Sequence, residues 1–446
     1  MRLFSSLALL LAVVFLNQDA SAQSRHHWVA SWAASVQGPY PVGNPSAQPN
    51  LSLTFPSPEI GAREQTFRLI VRPDILGSSA RIRLSNALGI KPVTFDGVFV
   101  GLQLSGAEIV RGTNSAVSFK GKKSITVPPG ESVWSDAISL RFVDKRSEAE
   151  LVGRKLAVSF HVAGESGLMT WHAKALTTSY LTMPDAGSKG HEESEAAFPF
   201  STTSWYFLDA LDMMAPSNTH AIVAFGDSIT DGTASTLNGD DRWPDVLSRR
   251  LHAAYGNRLS IVNAGIGGNQ VVGPKEYSPQ NPFAGGPAAG HRLERDVLSL
   301  SGVSTVMWLE GTNDFSKNGN ASLDEVQTGM KVIVARIRKS IPGVRIIGAT
   351  LTSAFGSTSA AHGFVEQDQK RKALNDFIKT SGLFDGFVDF DKATIDPKSG
   401  SMRAEFVPES TTGGPGDRLH PNRLGYLAMG AAIDLGLLMP SGTPTH

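Results

Sequence analysis

The chain has 446 residues, more than a single hydrophobic core usually organises, so two domains are expected. Its 41 Lys and Arg residues balance 41 Asp and Glu residues, which disfavours partners held by charge, such as nucleic acid or an anionic membrane surface. The sequence contains no cysteine, and this excludes disulfides, a thiol nucleophile and a lipid-bearing cysteine. A small neutral or weakly charged partner fits this composition best.

Residues 1–22 have the pattern of a secretory signal peptide. Arg2 supplies a positive charge, residues 7–16 form an apolar stretch too short to span a bilayer, and Ala20-Ser21-Ala22 is a small-residue cleavage site. We expect the mature chain to begin at Gln23 and to be exported to the periplasm or the extracellular space. No later segment reaches the roughly 18 uninterrupted apolar residues of a membrane helix, so we expect no stable membrane insertion.

Short runs of alternating polar and apolar residues characterise the first half of the mature chain. They occur at 67–73, 80–86, 115–121 and 155–162, with turn signals between them. This alternation buries one face of each strand and exposes the other, which is typical of an antiparallel β-sandwich. Residues 185–197 are mostly small or charged and read as a loop or linker. The prediction is a β-sandwich domain of jelly-roll-like type over residues 23–200.

Strand-like and helical patterns alternate in the second half. The apolar runs lie at 221–225, 259–264, 303–309, 344–351 and 384–390, and helical periodicity appears at 242–255, 324–339 and 420–438. Such β-then-α units predict a parallel sheet with helices on both faces over residues 217–440. In this architecture ligands bind beyond the carboxyl ends of the strands.

Polar residues and glycines follow several of these strands. Gly226-Asp227-Ser228 follows the first, residues 265–269 the second and residues 310–314 the third, while residues 416–420 precede the last helix. Glycines at strand ends mostly serve turns, and a serine at a strand-to-helix junction is most often a helix cap.

Together, however, these residues supply the parts of a serine esterase: a nucleophile, a base, an orienting acid and donors for an oxyanion. Asp417 and His420 are three residues apart, so in a helical turn both side chains project to one face and the imidazole Nε2 is left to face Ser228. Ser228 is therefore predicted to be the nucleophile, and its cap role is expected to persist. The α/β-hydrolases share the chain order Ser, Asp, His, but their G-x-S-x-G motif is not found around Ser228.

The motifs GDSITDG, NAGIGGN, GTND and DRLH, in this order, resemble those of the SGNH/GDSL hydrolase family of esterases and lipases, which have a flavodoxin-like sheet. The resemblance implies that Ser228 is the nucleophile, His420 the base and Asp417 its orienting acid. It also implies an oxyanion hole formed by the backbone N–H groups of Ser228 and Gly268 and the side-chain amide of Asn313. The chain has Ile229 at the position where the Gly-Asp-Ser-Leu motif that gives the family its name has leucine. The first domain resembles, less specifically, a β domain that precedes the hydrolase domain in some exported bacterial members.

The remaining polar residues are expected to be structural. Asp227 is interpreted as structural, Asp231 and Asp314 as ties between loops, and His172 as a packing or surface residue. No His, Asp or Glu cluster has convincing metal spacing, so neither a cofactor nor a metal is predicted.

The substrate prediction depends on three loops, at 269–291, 353–364 and 406–416, which lack the long apolar run of a lipid-binding lid. We expect short-chain esters, with acetyl groups on carbohydrate as an analogy to family members. The alternatives are a lipase or lysophospholipase, and a glycan-binding protein that uses Trp28, Trp32 and Trp171 of the β domain as sugar platforms. The oligomeric state is left open.

Overall fold

The computed structural model describes residues 26–144 and 148–439. The predicted signal peptide, residues 1–22, lies outside the described residues. Among the helices of the described chain, none is long and apolar enough to cross a membrane.

The described chain up to residue 216 is built almost entirely of strands. They are β1 His26–Ala33, β2 Gly38–Pro39, β3 Arg63–Val71, β4 Ser79–Ser85, β5 Val93–Ser105, β6 Glu108–Ile109, β7 Ser115–Ala116, β8 Ile125–Val127, β9 Ser132–Trp134, β10 Ile138–Ser139, β11 Leu156–Glu165, β12 Thr170–His172, β13 Ser179–Leu181, β14 Phe200–Thr202, β15 Trp205–Tyr206 and β16 Leu208–Pro216. We call this part the antiparallel region, because every pairing between these strands is antiparallel.

Three sheets form the antiparallel region. One has the strand order β1-β16-β4-β10, with β9 also paired to β4, and the largest has the order β14-β13-β3-β11-β5-β6, with β7 and β8 also paired to β5. A small sheet has the order β15-β12-β2. The largest sheet buries a cluster of aromatic rings that includes Phe67, Phe95 and Phe160, and the neighbouring Phe207 packs against all three.

The antiparallel strands continue beyond the predicted domain limit at residue 200. Strand β16 pairs with β1 on one side and β4 on the other, so residues 208–216 lie between two strands from the start of the chain. The segment 185–197 is packed onto the largest sheet, where the buried Arg68 guanidinium donates to the carbonyls of Ala107 at 2.6 Å, of Ser194 at 3.3 Å and of Glu192. It is therefore a loop held by the antiparallel region.

A five-stranded parallel sheet follows. Its strands are β17 His220–Gly226, β18 Leu259–Gly265, β19 Val303–Leu309, β20 Arg345–Ala349 and β21 Gly386–Val388. The spatial order is β18-β17-β19-β20-β21, and all four pairings are parallel. Each strand lies within or overlaps one predicted apolar run, so the prediction of a parallel sheet is confirmed.

Helices connect these strands. They are α1 Ser228–Asp231, α2 Trp243–Tyr255, α3 Ala289–Leu293, α4 Leu323–Ser340, α5 Val365–Thr380, α6 Phe390–Thr394 and α7 Arg423–Ala431. Short 3₁₀ turns occur at Glu148–Leu151, Gly256–Arg258, Ala404–Phe406 and Leu435–Leu438, and a π turn at Glu294–Leu298. Helix α4 begins with a capping box in which Ser322 and Glu325 accept each other's backbone N–H.

The last helix is shorter than the predicted pattern at 420–438. Helix α7 ends at Ala431, where the Ala432 N–H is shared between the carbonyls of Ala428 and Met429. The chain then starts a separate 3₁₀ turn capped by Asp434, whose carboxylate accepts the Gly436 N–H at 2.9 Å. An Asp side chain that competes for backbone donors breaks the helix although the apolar pattern continues.

The antiparallel region and the parallel sheet share one hydrophobic core. Strand β1 runs next to β18, where the Ser260 hydroxyl donates to the Ala30 carbonyl at 2.8 Å. A buried ion pair between Arg83 and Asp209, at 2.6 Å, lies at the same junction, because Arg83 also donates to the Ser299 hydroxyl at 2.7 Å. The two parts of the chain are therefore packed together along a continuous interface.

Candidate active site

Ser228 lies at the sharp turn between β17 and α1. Gly226 ends the strand without a side chain, and a Cβ at that position would lie 2.7 Å from the Leu309 carbonyl oxygen of the adjacent strand. The helix cap is Asp227, whose carboxylate accepts the Ile229 N–H at 2.9 Å. The expectation that Ser228 acts as the cap is therefore wrong, because the preceding residue has the extended backbone and the short acceptor that a cap requires.

The structure brings Ser228, His420 and Asp417 into one hydrogen-bonded chain. His420 Nε2 lies 2.8 Å from Ser228 Oγ, and His420 Nδ1 lies 2.6 Å from Asp417 Oδ2. Asp417 Oδ1 accepts the backbone N–H groups of Leu419 and His420, both at 2.9 Å. Asp417 and His420 lie in a bend that precedes α7, whereas a helical turn was expected. Their three-residue spacing works because the Asp417 carboxylate folds the bend back on itself.

The charge on Asp417 determines the tautomer of His420. Burial acts to raise the pKa of this carboxyl, but the hydrogen bond and the charge of His420 and the two backbone N–H groups outweigh burial and hold it well below its usual range. An ionised carboxylate only accepts hydrogen bonds, so His420 Nδ1 carries a proton. Nε2 is then available to accept the proton of the Ser228 hydroxyl.

Backbone donors with no acceptor lie beside this serine. Within the part of the chain that the structure describes, the N–H groups of Ser228 and Gly268 have no hydrogen-bond acceptor. Gly268 takes the left-handed φ of 87°, which favours glycine and turns the backbone sharply after Gly267. Two unsatisfied donors at the end of adjacent strands are suited to receive a negatively charged oxygen.

Asn313 lies against the same loop. Its side-chain amide donates one N–H to the Asn269 carbonyl at 2.9 Å. The second amide hydrogen has no acceptor in residues 26–144 and 148–439. Asn313 is 8% exposed, as is Ser228, so both are nearly enclosed and yet accessible to a small molecule. All five predicted site residues thus lie around the ends of β17, β18 and β19 and the bend before α7.

Buried charges hold the loops of the site. Asp314 accepts the N–H groups of Val271 and Val272, both at 2.9 Å, and Asp231 accepts the Gly267 N–H at 3.0 Å, as expected for residues that tie loops. The fully buried Arg292 donates to Asn269 Oδ1 at 2.8 Å. Burial raises the pKa of Asp227 to about 7 and that of Asp314 to about 6.

Three side chains of the antiparallel region reach this site although sequence reasoning assigned none of them to it. The Asn44 amide donates to the Gly267 carbonyl at 2.9 Å, the Lys174 ammonium donates to the Thr233 hydroxyl at 2.5 Å, and His172 Nε2 lies 3.1 Å from Asp231 Oδ1. His172 is buried, as a packing residue would be, but its ring contacts a charged group of the site. No local pattern marks these residues, because their partners lie between 59 and 223 positions away along the chain.

No group of three or more His, Asp or Glu side chains in the described residues is arranged to hold a metal ion.

Residues 224–428 match the family model of the GDSL-like lipase/acylhydrolase family. The structure is similar to a carbohydrate acetylesterase family member from Sinorhizobium meliloti, at 17% identity and a TM-score of 0.38, over 50% of this chain and 100% of that one. It is also similar to the aryl esterase of M. smegmatis, at 18% identity and a TM-score of 0.36, over 48% and 96% of the two chains. The lipase/acylhydrolase from Enterococcus faecalis matches at 20% identity and a TM-score of 0.35, over 48% and 93%. No curated protein sequence matches the chain.

The family match spans every residue of the hydrogen-bonded chain from Ser228 to His420. Residues 224–428 of the protein are therefore a hydrolase domain of the GDSL-like lipase/acylhydrolase family.

Proposed function

We propose that this hydrolase cleaves carboxylic esters through an acyl-enzyme on Ser228. The observation that carries the proposal is the continuous hydrogen-bonded chain from Ser228 Oγ through His420 to Asp417, with distances of 2.8 and 2.6 Å. Such a chain matches the needs of a serine nucleophile, its general base and the acid that orients the base.

The reaction follows from these contacts. Ser228 Oγ attacks the ester carbonyl while His420 Nε2 takes its proton, and the carbonyl oxygen becomes an oxyanion. The N–H groups of Ser228 and Gly268 and the Asn313 amide donate to that oxygen. As the intermediate collapses, the C–O bond to the alcohol breaks and His420 returns the proton to the departing oxygen. Water then repeats the sequence on the acyl-enzyme and releases the acid.

Substitution of the nucleophile tests this mechanism. Ser228→Ala removes the only atom of the site that forms a bond with the acyl carbon, so hydrolysis of p-nitrophenyl acetate is expected to fall by several orders of magnitude while thermal unfolding is unchanged. Ser235→Ala, in the same segment, is the control, because the Ser235 hydroxyl makes no hydrogen bond within the described residues and its loss should leave turnover intact. Near-wild-type turnover by Ser228→Ala would overturn the mechanism.

We propose short-chain esters, including acetyl esters of carbohydrates, as the substrates. The strongly exposed large apolar side chains of the described chain all lie outside the loops 269–291, 353–364 and 406–416. These loops are also tied down: the Thr358 N–H donates to the Asp417 carbonyl at 3.0 Å, and the Asn269 amide holds the carbonyls of Gly285 and Pro287. Firmly held loops without strongly exposed apolar side chains favour a small acyl group over a long hydrocarbon chain.

A series of p-nitrophenyl esters from acetate to palmitate distinguishes the alternatives, and acetylated xylan extends it to a polysaccharide. We expect kcat/KM to be highest for acyl chains of about two to four carbons, because the loops around the site carry no long apolar run that could cover a longer chain. A maximum at long chains would instead assign a lipase or lysophospholipase activity.

The glycan-binding alternative has little support from the tryptophans. Trp32 and Trp171 are buried, and the Arg81 guanidinium lies 4.8 Å from the Trp28 ring centroid and covers it. Trp32 and Trp171 therefore offer no open ring face for sugar stacking, and one face of the half-buried Trp28 is occupied by Arg81.

The finer fold and the location of the protein are also proposals. The strand order β18-β17-β19-β20-β21 corresponds to 2-1-3-4-5 in chain order, which is the order of a flavodoxin-like sheet with helices on both faces. We propose that the two larger antiparallel sheets form a sandwich, and that this region extends to residue 216. Export by the signal peptide is tested by fractionation of cells that express the full chain, with the mature protein expected to begin at Gln23.

A further inference from the structure

We propose that Asn44, in the antiparallel region, is a positioning residue for the oxyanion hole, and that this region is thereby a working part of the esterase site. The inference rests on the proposed function, in which the Gly268 N–H donates to the oxyanion. Asn44 acts through the peptide group between Gly267 and Gly268 and does not itself touch the reacting atoms.

The contact is made on the peptide group that carries the donor. Asn44 Nδ2 donates to the Gly267 carbonyl oxygen at 2.9 Å. This carbonyl and the Gly268 N–H belong to one planar unit, and the bond is trans, so the two groups point in opposite directions. Holding the oxygen of Gly267 therefore fixes the direction of the Gly268 N–H.

The other side of Gly267 is also held. Its N–H donates to Asp231 Oδ2 at 3.0 Å, and the second oxygen of Asp231 lies 3.1 Å from His172 Nε2. His172 Nδ1 in turn lies 2.7 Å from the Ser35 carbonyl. The hydrogen bonds on both sides of Gly267 therefore lead into the antiparallel region, to which Asn44, His172 and Ser35 belong. Asp231 and His172 are buried.

The two glycines cannot orient this turn by themselves. A glycine backbone samples a wide range of φ and ψ, so an external contact is required if the Gly268 N–H is to be aimed before substrate binds. The loop lies close against the antiparallel region: a Cβ on Gly267 would be 3.1 Å from Lys174 Nζ and 3.5 Å from Asn44 Cβ, and a Cβ on Gly268 would be 3.1 Å from Asn44 Nδ2.

Asn44 also affects the strength of the donor. A hydrogen bond to a carbonyl polarises its peptide group and makes the N–H of the same group a better donor. The interaction is therefore expected to matter more when a full negative charge develops on the substrate oxygen than when the neutral ester is bound.

Two substitutions test the proposal. Asn44→Ala removes the amide, and Asn44→Asp keeps the shape but replaces the donor with an acceptor. We expect each substitution to lower kcat for p-nitrophenyl acetate on the order of 10-fold, because a Gly268 N–H in the wrong direction stabilises the oxyanion less well. The kcat of Asn44→Asp should be no higher than that of Asn44→Ala. KM should change little, and the thermal midpoint should be retained because Asn44 is an exposed residue.

A matched control separates positioning from general packing. Asn114 also belongs to the antiparallel region and donates its amide to two backbone carbonyls, of Gly190 at 3.1 Å and His191 at 3.3 Å, without contacting the site. Asn114→Ala should leave kcat unchanged. As a second readout, an alkyl boronic acid that forms a tetrahedral adduct with Ser228 should bind Asn44→Ala more weakly by the same factor as the loss in kcat.

The outcomes distinguish this inference from the mechanism on which it rests. If Ser228→Ala is inactive while both Asn44 variants retain kcat within twofold of the parent protein, Asn44 is a surface residue and the inference is wrong. An equal fall in kcat for Asn114→Ala would contradict it as well. Activity retained by Ser228→Ala would instead overturn the proposed function itself.

Discussion

Replacement of Asp417 by asparagine should be more damaging than its complete removal. In the folded chain, Asp417 Oδ2 accepts the His420 Nδ1 proton at 2.6 Å, while Oδ1 accepts two backbone N–H groups at 2.9 Å. The two backbone donors select the oxygen of the new amide for the Oδ1 position, so the NH₂ group must face His420 Nδ1. His420 is then forced into the tautomer with the proton on Nε2, which cannot accept a proton from Ser228.

The geometry sets the magnitude. If the new amide of the Asp417→Asn variant flipped to restore the original His420 tautomer, its NH₂ group would face the backbone N–H groups of Leu419 and His420, which would lose their acceptor. Each unpaired donor costs about 1–3 kcal/mol when buried. The cost is smaller here because the Asp417 side chain is 37% exposed. We expect Asp417→Asn to lose on the order of 1,000- to 10,000-fold in kcat. That loss corresponds to about 4 to 5.5 kcal/mol of added barrier.

Asp417→Ala is the comparison. It removes the carboxylate but imposes no tautomer, and water can enter the partly exposed site to accept the Nδ1 proton, so this variant should be roughly 10-fold more active than Asp417→Asn. Both variants are assayed on p-nitrophenyl acetate from pH 6 to 9, with circular dichroism as a check on folding. If the asparagine variant equals or exceeds the alanine variant in kcat, control of the His420 tautomer by Asp417 is refuted.

Three further predictions follow from the structure. Asn313→Ala should lower kcat on the order of 100- to 1,000-fold with little change in KM, measured by steady-state hydrolysis, and a change in KM alone would contradict an oxyanion role. Burial raises the pKa of Asp227 to about 7 in the folded chain, so its ionisation opposes folding increasingly as pH rises from 3.8 to 7. Asp227→Asn removes this ionisable group and should therefore raise the thermal midpoint more at pH 8 than at pH 5. Equal shifts of the midpoint at both pH values would contradict this prediction. Arg83→Ala leaves the buried Asp209 carboxylate without its partner at 2.6 Å and should lower the free energy of unfolding by about 3–5 kcal/mol in urea titrations, whereas a loss below about 1 kcal/mol would show that the pair is dispensable.

Much of the hydrolase half was predictable from short-range patterns. The apolar run at Val303–Leu309 became a strand with those bounds, and α2 and α4 formed where the helical period indicated. A parallel sheet gathers the carboxyl ends of its strands at one edge, and this is why residues as distant as Ser228 and His420 were expected to meet.

Local competition between equivalent residues was harder to resolve. Asp227 and Ser228 are both suitable caps, and the backbone conformation gave the role to Asp227. The apolar pattern after His420 continues past the end of α7, but Asp434 starts a new turn there. Each outcome depends on which side chain wins a particular backbone donor, and composition carries no information on that choice.

The sequence by itself determined which residues are candidates for the site, because strand periodicity, the Gly-Asp-Ser turn and the three-residue spacing from Asp417 to His420 act over short distances. Only the tertiary structure decided that Asn44 and His172 of the antiparallel region contact the turn at Gly267, and that β16 lies between β1 and β4. The physical reason is that contacts across as many as 223 residues depend on how two preformed surfaces pack, and packing leaves no periodic signature in the chain.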